Sequence, residues 1–238
     1  MRGGLRSVIT QSQADMATTV ERTTTERAVV PAADAAPWYR DRIRLSVAGA
    51  AAAAAIGLGV WLVATSGARK EQFGARELNK ARAEAEGGNL PKAAADLQRV
   101  IEQFRGTDAA MEATLALNQV RLINGQNELA VVSLRDFIGS KPASKYATPG
   151  YGLLGTALEN SRKPADAGDA FTKASEMADA EYLKAEYLVS AGRAYRNAGK
   201  LPEAEKAYRT IQETFGKTPA ATEAQVRLGE LTKGKTPP

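Results

Sequence analysis

Gly199-Lys200-Leu201-Pro202-Glu203-Ala204 sets the register of this chain, because three related phrases precede it at a constant interval of 37 residues. They are Gly88-Asn89-Leu90-Pro91-Lys92-Ala93, Gly125-Gln126-Asn127-Glu128-Leu129-Ala130 and Arg162-Lys163-Pro164-Ala165-Asp166-Ala167. Each reads as a turn followed by a helix start. Four copies without insertions between them are the signature of a solenoid of helical hairpins, in which no unit buries its apolar face until its neighbours stack on it.

With the turn residue placed at position 15, the units start at Gly74, Met111, Thr148 and Ala185. Position 20 is Ala93, Ala130, Ala167 and Ala204; position 24 is Leu97, Leu134, Phe171 and Tyr208; position 27 is Val100, Phe137, Ala174 and Ile211. Position 8 is small in three units, as Ala81, Gly155 and Gly192, with Asn118 the departure. Small residues at 8 and 20 let two helices approach, while the large ones at 24 and 27 fill the groove to the next pair.

This pattern resembles the tetratricopeptide repeat (TPR) family, which has small residues at 8 and 20, Gly near 15 and an aromatic near 24. Pro142 at position 32 and Tyr195 at position 11 add to the likeness. The resemblance implies an all-α, right-handed superhelical solenoid over residues 75–232. Its four hairpins are 74–110, 111–147, 148–184 and 185–221, and a capping helix at 220–232 is signalled by Val226-Arg227-Leu228-Gly229, which repeats the first-helix phrase. The junctions beginning at Phe104 and Phe215 match each other. The lengthened unit is similar to repeats of bacterial envelope proteins, including the Tol-Pal cell-division coordinator. The order of tail, span and repeats resembles the ancillary subunit of the SecYEG translocon.

The chain contains no cysteine and no histidine, which removes disulfides, thiol nucleophiles, Cys/His zinc sites and imidazole chemistry. We expect no enzyme, no cofactor and no metal. The net charge of +5 is spread along the chain without long basic runs, so nucleic acid is not an expected partner. Gly150-Tyr151-Gly152-Leu153-Leu154-Gly155 resembles a glycine-rich phosphate loop but lacks the preceding strand and the Lys-Ser/Thr ending.

Residues 1–42 are poor in large apolar groups and read as a disordered tail, with Met16 an alternative translation start to Met1; residues 233–238 read as a second tail. Leu45 to Ala64 is a run of 20 uncharged residues, long enough to cross a bilayer core. Seven of them are Leu, Val or Ile, which favours insertion by roughly 2 to 4 kcal/mol. We expect a transmembrane helix over 43–66 and a hinge over 67–74. A buried Ala-rich helix rarely runs so far without a polar face. Arg40, Arg42 and Arg44 precede the span, which places the tail in the cytoplasm and the repeats in the periplasm, on the far side of a bacterial inner membrane. Gly49, Ala53 and Gly57 share one face, as in small-xxx-small pairing seams, and offer a route to a dimer.

In the family's geometry the concave face is lined by first helices and takes peptides or partner helices. The positions that match are Asn79 and Arg82, then Glu112, Gln119 and Leu122, then Thr156, Glu159 and Asn160, then Arg193, Arg196 and Asn197, of which Asn79, Arg82, Gln119 and the last three are the expected partner-binding residues. The last three form the densest donor cluster and could hold a carboxylate or backbone carbonyls; a solvated charged face is the plainer reading. The expected function is a membrane-anchored scaffold that binds envelope proteins or translocating chains, with a stoichiometric accessory subunit of an inner-membrane complex as the alternative.

Overall fold

The computed structural model describes residues 38–232. The tail readings for 1–37 and 233–238 lie outside the described residues. The chain divides into a unit ending at Trp61 and a unit beginning at Leu62. All regular elements among the described residues are α-helices. They are α1 (Trp38–Glu86), α2 (Leu90–Gln103), α3 (Asp108–Ile123), α4 (Asn127–Gly139), α5 (Ser144–Asn160), α6 (Pro164–Met177), α7 (Glu181–Asn197), α8 (Leu201–Thr214) and α9 (Ala220–Thr232).

In the first unit, α1 begins at Trp38, before the expected boundary at 43. Ile56 (68% exposed) and Trp61 (59%) lie open on it, and α1 is the one helix among the described residues long and apolar enough to cross a membrane.

In the second unit, the second helices α2, α4, α6 and α8 start at Leu90, Asn127, Pro164 and Leu201, reproducing the interval of 37. The turn before each is one motif. Gly88, Gly125, Arg162 and Gly199 all take positive φ, at 80°, 71°, 57° and 74°. The next residue's N–H reaches back to the preceding helix: Asn89 to Glu84 O (2.9 Å), Gln126 to Arg121 O (2.8 Å), Lys163 to Leu158 O (2.9 Å) and Lys200 to Tyr195 O (2.9 Å). These are Schellman closures, which satisfy the carbonyls that a helix end leaves unpaired and reverse the chain within a few residues.

Each reversed pair closes on the alanine at position 20, since Ala93, Ala130, Ala167 and Ala204 are all 0% exposed. Position 8 is matched to position 24 of its own unit. A Cβ on Gly155 would lie 2.6 Å from Phe171 Cε1, and one on Gly192 would lie 2.6 Å from Tyr208 Cε1. Where position 24 is the smaller Leu97 or Leu134, position 8 carries a side chain, Ala81 or Asn118. Asn118 is buried with its polar atoms used: Nδ2 donates to Thr114 O (2.8 Å) and Ser133 Oγ (3.1 Å), and Oδ1 accepts from Arg121 Nη1 (3.2 Å).

Successive helices from α2 to α9 pack against each other, and first helices also touch, α3 on α5 and α7 on α9. The core is a row of buried side chains between layers, with Leu78, Leu97 and Leu117 near one end and Leu158, Tyr208 and Ile211 near the other. The paired junctions share one hydrogen-bond pattern, although Gly106 has a φ of 81° and its counterpart Lys217 does not take positive φ. Thr107 and Thr218 each donate from N and Oγ1 to the carbonyls of Phe104 and Phe215. On α9, Gln225 is exposed at the position that Leu188 fills on α7, giving a polar outer face of the kind a terminal helix of a solenoid needs. The glycine-rich stretch 150–155 lies inside α5, where Gly150, Gly152 and Gly155 receive Phe137, Tyr187 and Phe171.

The expected hinge over 67–74 is a continuation of α1. The reason is tertiary. Lys70 Nζ donates to Arg105 O (2.7 Å), and Glu71 accepts from the backbone N–H groups of Asp108 and Ala109 (both 2.9 Å). At Gly74 the helix passes so close to Phe104 and Ala109 that a Cβ would sit 3.1 and 3.0 Å from them. These contacts hold in helical form a stretch whose local sequence reads as a connector.

Candidate functional site

The first helices are positioned by the turns and notches described above, and their outer faces carry the polar residues singled out by position. A groove of about 340 Å³ runs between α1, α3 and α5. Arg82, Gln119 and Lys145 are its exposed lining; Leu115, Ala116, Tyr146, Pro149 and Leu153 supply its more buried apolar surface. Arg82 Nη2 bridges the step from α1 to α3 by an ion pair with Glu112 Oε2 at 2.9 Å. Lys145 Nζ donates to Asp108 Oδ2 at 2.7 Å and lies 4.7 Å from the centre of the Tyr146 ring. The bond from Lys145, ahead of the tyrosine, holds the Asp108 carboxyl below its ordinary range, and Lys145 is raised chiefly by its bond to Asp108. Burial is the first cause of the upward shift of the Tyr146 phenol.

Arg193, Arg196 and Asn197 lie together on α7, apart from that groove. Arg193 Nη2 meets Glu159 Oε2 of α5 at 3.3 Å, and Arg196 Nη1 meets Glu230 Oε2 of α9 at 3.0 Å. Thus Arg82 and Gln119 share one site, the α7 residues form a second, and Asn79 is exposed on α1 and lines neither. Gly49, Ala53 and Gly57 are exposed, and for the two glycines nothing lies within 4 Å of a Cβ.

Position alone did not single out Tyr146, Lys145 and Leu153 of the groove, nor Arg227 and Glu230 beside α7. Glu230 was findable, since it falls 37 residues beyond Arg193 on the helix that repeats the first-helix phrase. Among the described residues no cluster of three carboxylates offers a metal site. The arrangement can hold extended or helical polypeptide through charged and apolar contacts.

No protein-family profile matches the chain, and no curated protein matches it. A solved structure does: the crystal structure of MamA protein superposes with a TM-score of 0.51 at 21% identity, covering 68% of this chain and 87% of that one. The fold is TPR-like. At that identity the likeness concerns the TPR-like backbone alone.

Proposed function

We propose that this chain is a membrane-anchored protein-interaction scaffold. Its TPR-like repeats bind envelope proteins or translocating chains, and residues 43–66 hold it in a bacterial inner membrane. The observation that carries the binding reading is the groove between α1, α3 and α5, where Arg82, Gln119 and Lys145 stand beside the apolar surface of Leu115, Tyr146 and Leu153. Such a mixture of charge and buried aromatic surface suits polypeptide recognition. The membrane reading is supported by the uncharged run from Leu45 to Ala64 and by the exposure of Ile56, Leu58, Val60 and Trp61. Three arginines before the run favour a cytoplasmic tail and periplasmic repeats.

A second reading, a fixed accessory subunit of an inner-membrane complex, is favoured by the same exposed span, which could contact other membrane helices through Gly49, Ala53 and Gly57. Purification in mild detergent separates the two: several substoichiometric partners support the scaffold, and a constant molar ratio with one complex supports the subunit. Protease protection of the repeats in intact spheroplasts would refute the periplasmic placement. Full extraction by alkaline carbonate would refute the anchor.

A further inference from the structure

At the α7–α9 step three at least partly exposed arginines meet three carboxylates through long or single-nitrogen contacts. Arg193 and Arg196 each engage a carboxylate through a single nitrogen, at 3.3 and 3.0 Å. Arg227 of α9 reaches Glu230 Oε2 from Nη1 at 3.4 Å and Glu223 Oε1 from both Nε and Nη2 at 3.5 Å. One oxygen of Glu230 therefore serves two arginines, and neither contact has the bidentate geometry in which guanidinium and carboxylate bind best. The Glu230 side chain is itself 48% exposed. Exposed pairs of this kind contribute little to the fold, so Glu230 can leave at small cost.

A second feature lies beside them. The Tyr208 ring sits against Gly192, next in the chain to Arg193, and its hydroxyl is buried with no hydrogen-bond partner. Burial raises the pKa of this phenol, ahead of the electrostatic influence of Arg196, Arg227, Glu223 and Arg193. Phe171, its counterpart one unit earlier, has no hydroxyl, so packing of the ring does not call for one. A buried donor left unsatisfied is costly to the folded protein and is informative where it occurs. Here it occurs on a ring that packs against Gly192, the chain neighbour of Arg193.

We propose that Arg193, Arg196 and Arg227 receive a Glu- or Asp-rich segment of a partner protein, and that Glu230 occupies the site as an internal stand-in until the partner arrives. This rests on the scaffold reading and specifies the chemistry of one partner.

The test uses the full chain in nonionic detergent and a fluorescein-labelled peptide of alternating Glu and Ala, followed by anisotropy at low ionic strength. Glu230→Gln, which removes the competitor, is expected to tighten binding about three- to fivefold. Arg193→Gln combined with Arg196→Gln is expected to weaken it at least about tenfold, with circular-dichroism melting confirming that both variants fold. Equal affinity of the wild type and the double variant overturns the proposal, as does an unchanged or weaker affinity of Glu230→Gln or no binding by the wild type. A native partner that co-purifies equally well with the double variant also overturns it, while leaving the scaffold reading intact.

Discussion

A Cβ added to Gly192 would lie 2.6 Å from Cε1 of Tyr208, closer than two carbon atoms can approach without displacement. The glycine is the space the ring occupies. The same relation joins Gly155 to Phe171, so the two units with an aromatic ring at position 24 are those with glycine at position 8. Gly229 recurs at that position on α9, but nothing lies within 4 Å of its Cβ position.

One substitution should therefore have opposite effects at two glycines. Gly192→Ala must move a buried ring and is expected to cost about 1–3 kcal/mol. Gly229→Ala gains helix propensity in open space and is expected to stabilise by about 0.5–1 kcal/mol. Thermal melts of the two variants followed by circular dichroism check the sign of each.

Tyr208→Phe removes the partnerless hydroxyl and keeps the ring over Gly192. The expected result is a gain of about 1 kcal/mol, since an unsatisfied buried hydroxyl is a net cost. A melting temperature lowered by the substitution would show that the hydroxyl has a partner in solution.

Arg162 holds φ of 57° at a turn where the other three units use glycine. Side chains pay about 1 kcal/mol or more in that region. Arg162→Gly is expected to stabilise by about 1 kcal/mol, and Gly199→Ala to destabilise by a similar amount. Denaturant unfolding with an unchanged slope would give both values.

Glu71 closes the start of α3 by accepting two backbone N–H bonds, at 2.9 Å each. Its negative charge also lies at the favourable end of the helix dipole. Glu71→Gln retains one good acceptor and no charge, and a loss of about 1 kcal/mol is expected. Hydrogen exchange at the amides of Asp108 and Ala109 should quicken in the variant before the rest of the solenoid is affected.

Burial, ahead of the hydrogen bond to Asp169 and against an opposing one with Thr172, pushes the Tyr195 phenol up to about 12. The unfolded phenol titrates near its ordinary value of about 10. The folded pKa is the higher one, so this group's contribution is fully present below about pH 10 and is lost as pH rises toward 12. The melting temperature of Tyr195→Phe should fall less between about pH 9 and pH 11 than that of the wild type. Equal slopes would refute the assignment.

Much of the solenoid was legible because its rules are local. A left-handed residue that ends one helix, glycine in three units and Arg162 in the third unit, a proline or acid that opens the next, and an alanine at the closest approach recur every 37 residues, and each acts within its own hairpin. The Asn118 exception was visible in the sequence, but its explanation was not. That required seeing Thr114, Ser133 and Arg121 arranged around its amide.

The sequence by itself determined the period, the turns, the residues at each helix crossing, the terminal capping helix and the apolar run long enough for a bilayer. Tertiary structure decided where side chains from distant parts of the chain meet. It carries α1 through residues 67–74, because Lys70, Glu71 and Gly74 find their partners at Arg105 to Ala109. It also joins Arg82 to Glu112, Arg193 to Glu159 and Arg196 to Glu230. Helix propensity and turn chemistry act over a few residues and can be read along the chain. An ion pair or a helix cap between neighbouring units depends on the angle at which one helix stacks on the next, and only the assembled fold sets that angle.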